Sequence, residues 1–390
     1  MKCVFTLGSP VIGGGTNVIF EHASSLAKAG EDVYIVTENK VEPEEYAWHT
    51  DAHLLKWTTY DTLEESNEEF DLCIFTWWKT VYEGYRINAK KYLYFVQSIE
   101  SKFYPDYEQG VKMLAELTYC LDFTIITEAT WIKEYLTSKY GLDVELVHNG
   151  IRKDLFTLEG ETVDMDKKKG LRVLVEGPTD VDFKNVPKTI DLVKQSDADE
   201  IWLLTSTEVK DYKGVDKVFS RVPMFDVHSI YRSCDVIVKL SYIEGMFGPP
   251  LETFHTGGTA IVYDVTGHDE YIVHEKNGLV VKTDDDEKVI EYINKLKDEK
   301  YLNKLKKGAL KTASEWISWE ESSKLFHKAV KKQMKKPTIN RETLKHQSKF
   351  YFDIYVKYET KQDSIKKVVG RSLRTRTPKI YKILLKIRKR

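Results

Sequence analysis

The chain has 390 residues, enough for two to three folded units at roughly 150 residues each. Apolar residues make up 42% and charged residues 31%, which excludes general disorder, a collagen-like repeat and a small disulfide scaffold. The net charge of −2 conceals an acidic body and a basic tail: residues 331–390 hold 20 Lys and Arg against 4 Asp and Glu, and residues 1–330 hold 39 against 57.

The first forty residues read as strand, glycine-rich turn, helix and strand. Residues 3–7 form a short apolar run suited to a buried parallel strand. Gly13-Gly14-Gly15-Thr16 then precedes a helical pattern with Val18, Ile19, His22, Ala23, Leu26 and Ala27 on one face. Gly30 closes it, and residues 33–36 start the next strand. Apolar runs recur at 72–75, 92–96, 124–127 and 145–147. A polar, lysine-rich break at 159–170 is followed by a second series at 171–175, 201–204, 235–240, 259–263 and 278–281. Helical stretches near 287–312 and 319–334 end that series.

Strands alternating with helices predict βαβ units and parallel sheets, an α/β architecture. The expected organisation is an N-terminal Rossmann-like domain over 1–160, a second over 170–318, a closing helix over 319–336 and a basic amphipathic tail over 338–390. Cys3, Cys73, Cys120 and Cys234 lie far apart, in or beside apolar segments and without metal-ligand spacing. Buried reduced thiols, suited to a cytosolic compartment, are the expectation. Neither a membrane-spanning run nor a cleavable signal peptide is visible.

Open parallel sheets bind ligands beyond the carboxyl ends of their strands. Four loops meet that condition. At Gly13–Thr16, backbone N–H groups can approach a phosphate, and the helix N-terminus favours negative charge. A glycine turn needed only for packing would read the same way. From Glu244 to Glu252, two carboxylates bracket a glycine and proline turn that leads into a helix. Carboxylates accept hydrogen bonds from vicinal hydroxyls more strongly than neutral groups do. Glu252 is expected in the first helical turn, where it would equally complement the helix N-terminus. The third loop runs from Glu176-Gly177-Pro178-Thr179 to Lys184-Asn185-Val186, and the fourth is Tyr94–Glu100, which carries Gln97.

The stretch Glu244-Gly245-Met246-Phe247-Gly248-Pro249-Pro250-Leu251-Glu252 resembles the E-x7-E motif of the retaining group 1 family of glycosyltransferases with the GT-B fold. The family's usual Phe-Gly-Leu is replaced by Met246-Phe247-Gly248. Following segments agree in kind and order: Gly257–Val262, Thr266-Gly267-His268-Asp269-Glu270 and Asn277–Val281. In the first half, Gly14-Gly15, Ala29–Val33 and His148-Asn149-Gly150-Ile151 also match. The likeness covers about residues 1–330 and implies two Rossmann-like domains facing each other across a cleft.

By this resemblance Glu244 lies near a donor sugar and Glu252 holds the nucleotide ribose. The backbone of Gly245, Met246, Phe247 and Gly248 meets the diphosphate and sugar, with Gly14 and Gly15 across the cleft. Lys184 corresponds to the family's diphosphate lysine, but Pro178 stands where an arginine is usual. Gln97 occupies a place where many relatives have histidine; its amide can donate to a sugar hydroxyl but cannot act as a base. Asn149 belongs with the same sugar or acceptor contacts. The run through Phe103-Tyr104-Pro105 resembles a branch that includes bacterial rhamnosyltransferases.

The implied reaction moves a sugar from a nucleoside-diphosphate donor to a surface polysaccharide or lipid-linked glycan, with retention and no metal ion. Stabilising the departing diphosphate dominates such chemistry. A non-catalytic nucleotide-sugar-binding subunit and another GT-B enzyme, such as a sugar-nucleotide epimerase, are the alternatives. The D-x-D strings at 164–166, 180–182, 197–199 and 284–286 read as acidic loops, not as a metal site. His255 and His268 flank the motif, where they read as satisfied loop residues or as donor contacts.

In residues 364–390, eleven basic and no acidic side chains accompany apolar residues at helical spacing. This predicts attachment to an anionic membrane surface, with disorder or intramolecular packing and nucleic-acid binding as competing readings. A cytoplasmic protein, peripheral at the inner face of the cell membrane, is expected.

Overall fold

The computed structural model describes residues 1–163 and 170–376, with side chains to Tyr358. The strands, in chain order, are β1 (Lys2–Thr6), β2 (Asp32–Thr37), β3 (Lys56–Thr59), β4 (Glu69–Phe70), β5 (Leu72–Phe75), β6 (Asn88–Ala89), β7 (Tyr92–Val96), β8 (Thr124–Thr127) and β9 (Val144–Leu146). After the crossover come β10 (Arg172–Glu176), β11 (Glu200–Thr205), β12 (Lys217–Ser220), β13 (Val236–Lys239), β14 (Thr259–Tyr263) and β15 (Leu279–Val281).

They form two main sheets, ordered β3-β2-β1-β5-β7-β8-β9 and β12-β11-β10-β13-β14-β15. Every pairing within them is parallel. The second order, renumbered within its lobe, is 3-2-1-4-5-6, the doubly wound arrangement. In each lobe the order reverses beside the first strand, at β1/β5 and at β10/β13. The loops leaving β1, β10 and β13 therefore open at these switch points, where ligands bind in such sheets.

Burial on both faces explains the apolar runs: all five residues of β7 and all five of β14 are buried. Of the strands missed, β4 and β6 are two-residue pairs, and β3 and β12 are edge strands of mainly intermediate burial with mixed sequences, Lys-Trp-Thr-Thr and Lys-Val-Phe-Ser. The helical stretch expected near 287–312 is two helices, Asp286–Lys295 and Glu299–Glu315. Asp298 separates them, its carboxylate accepting from the N–H groups of Lys300 and Tyr301 as an N-cap. Of the four thiols, Cys3, Cys73 and Cys234 are buried, but Cys120 is exposed, against expectation. It ends the short 3₁₀ turn Thr118–Cys120, which follows the helix Gln109–Leu117.

The chain returns to its first lobe at the end. Ser318 and Glu321 cap the helix Trp319–Gln333 reciprocally. Its Phe326 stacks on His22 of the helix Gly14–Lys28, with ring centroids 4.1 Å apart. Burial among these rings pushes the His22 imidazole down to about 3, so it packs as a neutral ring.

A last helix, Arg341–Arg376, starts against the same lobe. Arg341 Nε donates to the Tyr85 carbonyl at 2.7 Å, and Leu344 is fully buried in the first-lobe core. The part of the expected tail around 339–351 is thus docked on the body. Residues 377–390, and the side chains from 359 onward, lie outside the described set, so the membrane expectation for 364–390 falls there. No helix among the described residues is long and apolar enough to cross a membrane.

Candidate functional site

Between the lobes lies a cleft of about 780 Å³, lined from both sides. Gly14, Gly15, Gln97 and Asn149 face it from the first lobe. From the second come Lys184, Glu244, Gly245, Met246, Gly248 and Glu252. The structure thus gathers every expected site residue except Phe247 on one cavity. Phe247 is fully buried beneath the loop, and its carbonyl accepts from the Tyr271 hydroxyl. Its ring anchors the turn from within the core, away from the cleft.

Glu244 sits in the loop after β13, almost out of solvent. Its Oε2 accepts from Lys184 Nζ at 2.8 Å, and its Oε1 stands 3.7 Å from Lys239 Nζ. Burial works to raise its carboxyl, but the two ammonium groups outweigh burial and hold it below the ordinary range. Glu244 is therefore an ionised carboxylate.

Glu252 behaves oppositely. Burial first, then the neighbouring Glu176 charge, pushes it up to about 7. It lies in the second turn of the helix Gly248–His255, not the first, because Pro249 and Pro250 occupy the opening positions where no N–H partner is needed. A helix-dipole role belongs to the first turn, so the cleft-facing role is the one its position supports.

Contacts between the lobes run through the motif loop itself. Trp131 Nε1 donates to the Gly245 carbonyl at 3.1 Å, and the Met246 N–H donates to Glu128 Oε1 at 3.1 Å. Asn149 Nδ2 donates to the other oxygen of Glu128 at 2.9 Å. Glu128 is buried, and that burial pushes its carboxyl up to about 7. A Cβ at position 245 would lie 2.2 Å from the Gln97 carbonyl oxygen, so only glycine permits this approach of the two lobes.

Glu270 adds a second tie, accepting from the Thr130 N–H at 2.5 Å and pairing with His148 Nε2 at 2.9 Å. Phe103 and Phe183 stack face to face across the cleft, with centroids 4.6 Å apart. Gln97 Oε1 and Asn149 Oδ1 are buried with no hydrogen-bond partner among the described residues. Buried polar atoms of that kind call for a partner.

Several expected groups stand elsewhere. His255 Nδ1 is tied to the Leu251 carbonyl and His268 Nδ1 to that of Val265, and neither ring lines the cleft. Asp180 accepts from the Thr207 hydroxyl, and Asp284 pairs with Lys188. Asp164 and Asp166 lie outside the described residues. Among the described residues, no group of three or more His, Cys, Asp or Glu side chains is placed to hold a metal ion.

Sequence reasoning missed Lys239, Glu128 and the pairing of Phe103 with Phe183. A signal for Lys239 was present: a lysine ending an otherwise apolar buried strand requires a partner. Glu128 and the aromatic pair depend on how the lobes meet, which no local pattern encodes.

Two parallel Rossmann-like lobes around a shared cleft define the GT-B fold of glycosyltransferases. Residues 202–312, most of the second lobe and including Glu244 and Glu252, match the family model for "Glycosyl transferases group 1", which supports a glycosyltransferase reading. A search among curated proteins finds no match.

Solved structures share the fold at low identity. Sucrose-phosphate synthase from Thermosynechococcus elongatus aligns with TM-score 0.66 and 15% identity, over 85% of this chain and 99% of that one. Anabaena Alr3699/HepE, solved in complex with UDP and glucose, aligns with TM-score 0.69 and 14% identity, over 85% and 100%. WaaG, described as a glycosyltransferase involved in lipopolysaccharide biosynthesis, aligns with TM-score 0.63 and 13% identity, over 83% and 98%.

Proposed function

We propose that this protein transfers a sugar from a nucleoside-diphosphate-sugar to a glycan or lipid-linked acceptor, retaining the anomeric configuration and using no metal ion. One observation carries the reading. Both carboxylates of the E-x7-E segment, which lies within the stretch matching a glycosyltransferase family, converge with Lys184 on a single interlobe cleft. The Anabaena structure of like fold, solved with UDP and glucose, supports a nucleotide-sugar as donor.

In this reading the bond between the anomeric carbon and the diphosphate oxygen breaks, and the acceptor oxygen attacks on the same face. The acceptor proton passes to the departing phosphate. Glu252 accepts from the ribose hydroxyls and Glu244 from the sugar, while Lys184 answers the charge that develops on the leaving group. Gln97 and Asn149, each with an unpartnered amide oxygen, hold sugar or acceptor hydroxyls. The basic segment 364–390 draws the enzyme to an anionic membrane surface, at the inner face of the cell membrane.

Turnover of UDP-, GDP- and dTDP-sugars, with and without glycan acceptors, tests the assignment. Glu244→Ala and Glu252→Ala are expected to fold and to lose transfer by more than about 100-fold, the scale of a lost site group. Turnover should be unchanged in EDTA. Transfer that survives both substitutions contradicts the site, and donor binding without turnover under any acceptor identifies a binding subunit instead.

A further inference from the structure

A diphosphate calls for positive charge, and this cleft has little. Among the described side chains lining it, the carboxylates are Glu100, Glu128, Glu176, Glu244 and Glu252, and the cations are Lys184 and Lys239 alone. Pro178 lines the cleft where the resemblance leads one to expect an arginine.

We propose that Lys239 is a second diphosphate-binding cation of this cleft, serving in place of the missing arginine; the inference rests on the donor reading above. Lys239 ends β13, and Glu176 ends its neighbour β10, at the point where the strand order reverses. Only 3% of Lys239 is exposed, yet the residue lines the cleft.

Three N–H bonds are available on that ammonium. Two are engaged by Glu176, with Nζ at 3.1 Å from its carbonyl oxygen and 2.5 Å from Oε2. The nearest remaining carboxylate oxygen, Glu244 Oε1, is 3.7 Å away, an ion-pair distance beyond hydrogen-bond reach, and it has no hydrogen-bond partner among the described residues. One donor is thus left for a ligand oxygen. Lys184 holds the opposite oxygen of the same carboxylate, so the two ammonium groups flank Glu244.

The loop after β10 passes close to this ammonium. Gly177 has φ +139°, where L side chains are strained, and a Cβ there would stand 3.6 Å from Lys239 Nζ. Burial disfavours the charged lysine, but Glu176 and Glu244 outweigh it and keep the ammonium protonated. A buried, fixed charge acts on phosphate oxygens more strongly than a surface lysine does. Since Lys239 lies beside Glu244, on the sugar side, it should meet the distal phosphate.

Calorimetric titration of the full chain with UDP, GDP and dTDP provides the test. The best-binding diphosphate and its monophosphate are then compared in Lys239→Met, Lys239→Arg and the double variant Lys239→Met/Glu176→Gln. Lys239→Met is expected to weaken the diphosphate by about 10- to 100-fold and the monophosphate by less than about threefold, as for one charge-assisted hydrogen bond. Lys239→Arg should stay within about fivefold of the native chain.

The double variant carries no buried carboxylate orphaned by the missing lysine. It should show the same selective loss, and it decides the matter if Lys239→Met does not fold. Unchanged diphosphate affinity in a folded variant, or equal losses for the two nucleotides, overturns the role of Lys239 and leaves the donor reading standing. A native chain that binds none of the three diphosphates overturns both.

Discussion

Glu252 shows how a single side chain can be set against stability for the sake of a site. Its carboxyl, ordinarily near 4.5, is raised to about 7 in the fold, first by burial and then by Glu176. Between those values the folded state binds more protons than the unfolded chain, so its contribution to stability falls as pH rises from 4.5 to about 7. Glu252→Gln removes that dependence. Its melting temperature relative to the native chain should therefore climb from pH 5 to pH 8, by roughly 2–4 °C. A constant offset across that range would show that Glu252 does not titrate there. Glu244, held ionised by two lysines, predicts the opposite trend. Its stabilisation is present above the ordinary carboxylate range and is lost as pH falls through its lowered value. Both glutamates were legible in the sequence through their eight-residue spacing, but their protonation states were not, since these follow from neighbours on other strands.

At the scale of elements, the loop after β13 is both the candidate donor site and the interlobe contact. Trp131 and Glu128 hold the peptide groups of Gly245 and Met246 from the facing lobe. Gly245→Ala would drive a methyl group into the Gln97 carbonyl and toward Glu128 Oε1, 2.9 Å away. We expect it to separate the lobes and cut donor turnover by more than about 100-fold, as misplacement of facing groups does. Small-angle scattering should record a more open particle; turnover within threefold of native contradicts the contact. Most strands were legible because burial on both faces writes continuous apolar runs, as in Tyr92–Val96. The edge strands Lys56–Thr59 and Lys217–Ser220 were not, because half-exposed edges mix polar and apolar residues and carry no such run. The turn containing Glu252 was misjudged because Pro249 and Pro250 lie inside the helix start, not before it.

Across the whole molecule, the helices that follow the second lobe tie it back to the first. The helix Trp319–Gln333 leaves the second lobe and packs on the helix Gly14–Lys28, and the last helix begins on the same side. Leu344→Ala should therefore destabilise the first lobe by about 2–5 kcal/mol, read from denaturant unfolding, although position 344 lies far from β1 in sequence. Composition alone could not separate this docked portion from the basic end, because Arg341 and the lysines around it read as part of one tail. Removing residues 364–390 should abolish sedimentation with anionic vesicles, given roughly 1 kcal/mol per basic residue near such a surface, and leave donor turnover in solution intact. Sedimentation that persists would rule out that segment as the anchor. The most direct measurement is a crystal structure with the nucleoside diphosphate that binds most tightly. The nucleotide is expected between the lobes, its ribose on Glu252 and its phosphates between Gly14-Gly15 and Lys184. A nucleotide found outside the interlobe cleft, with Glu244 and Glu252 untouched, would contradict the assignment.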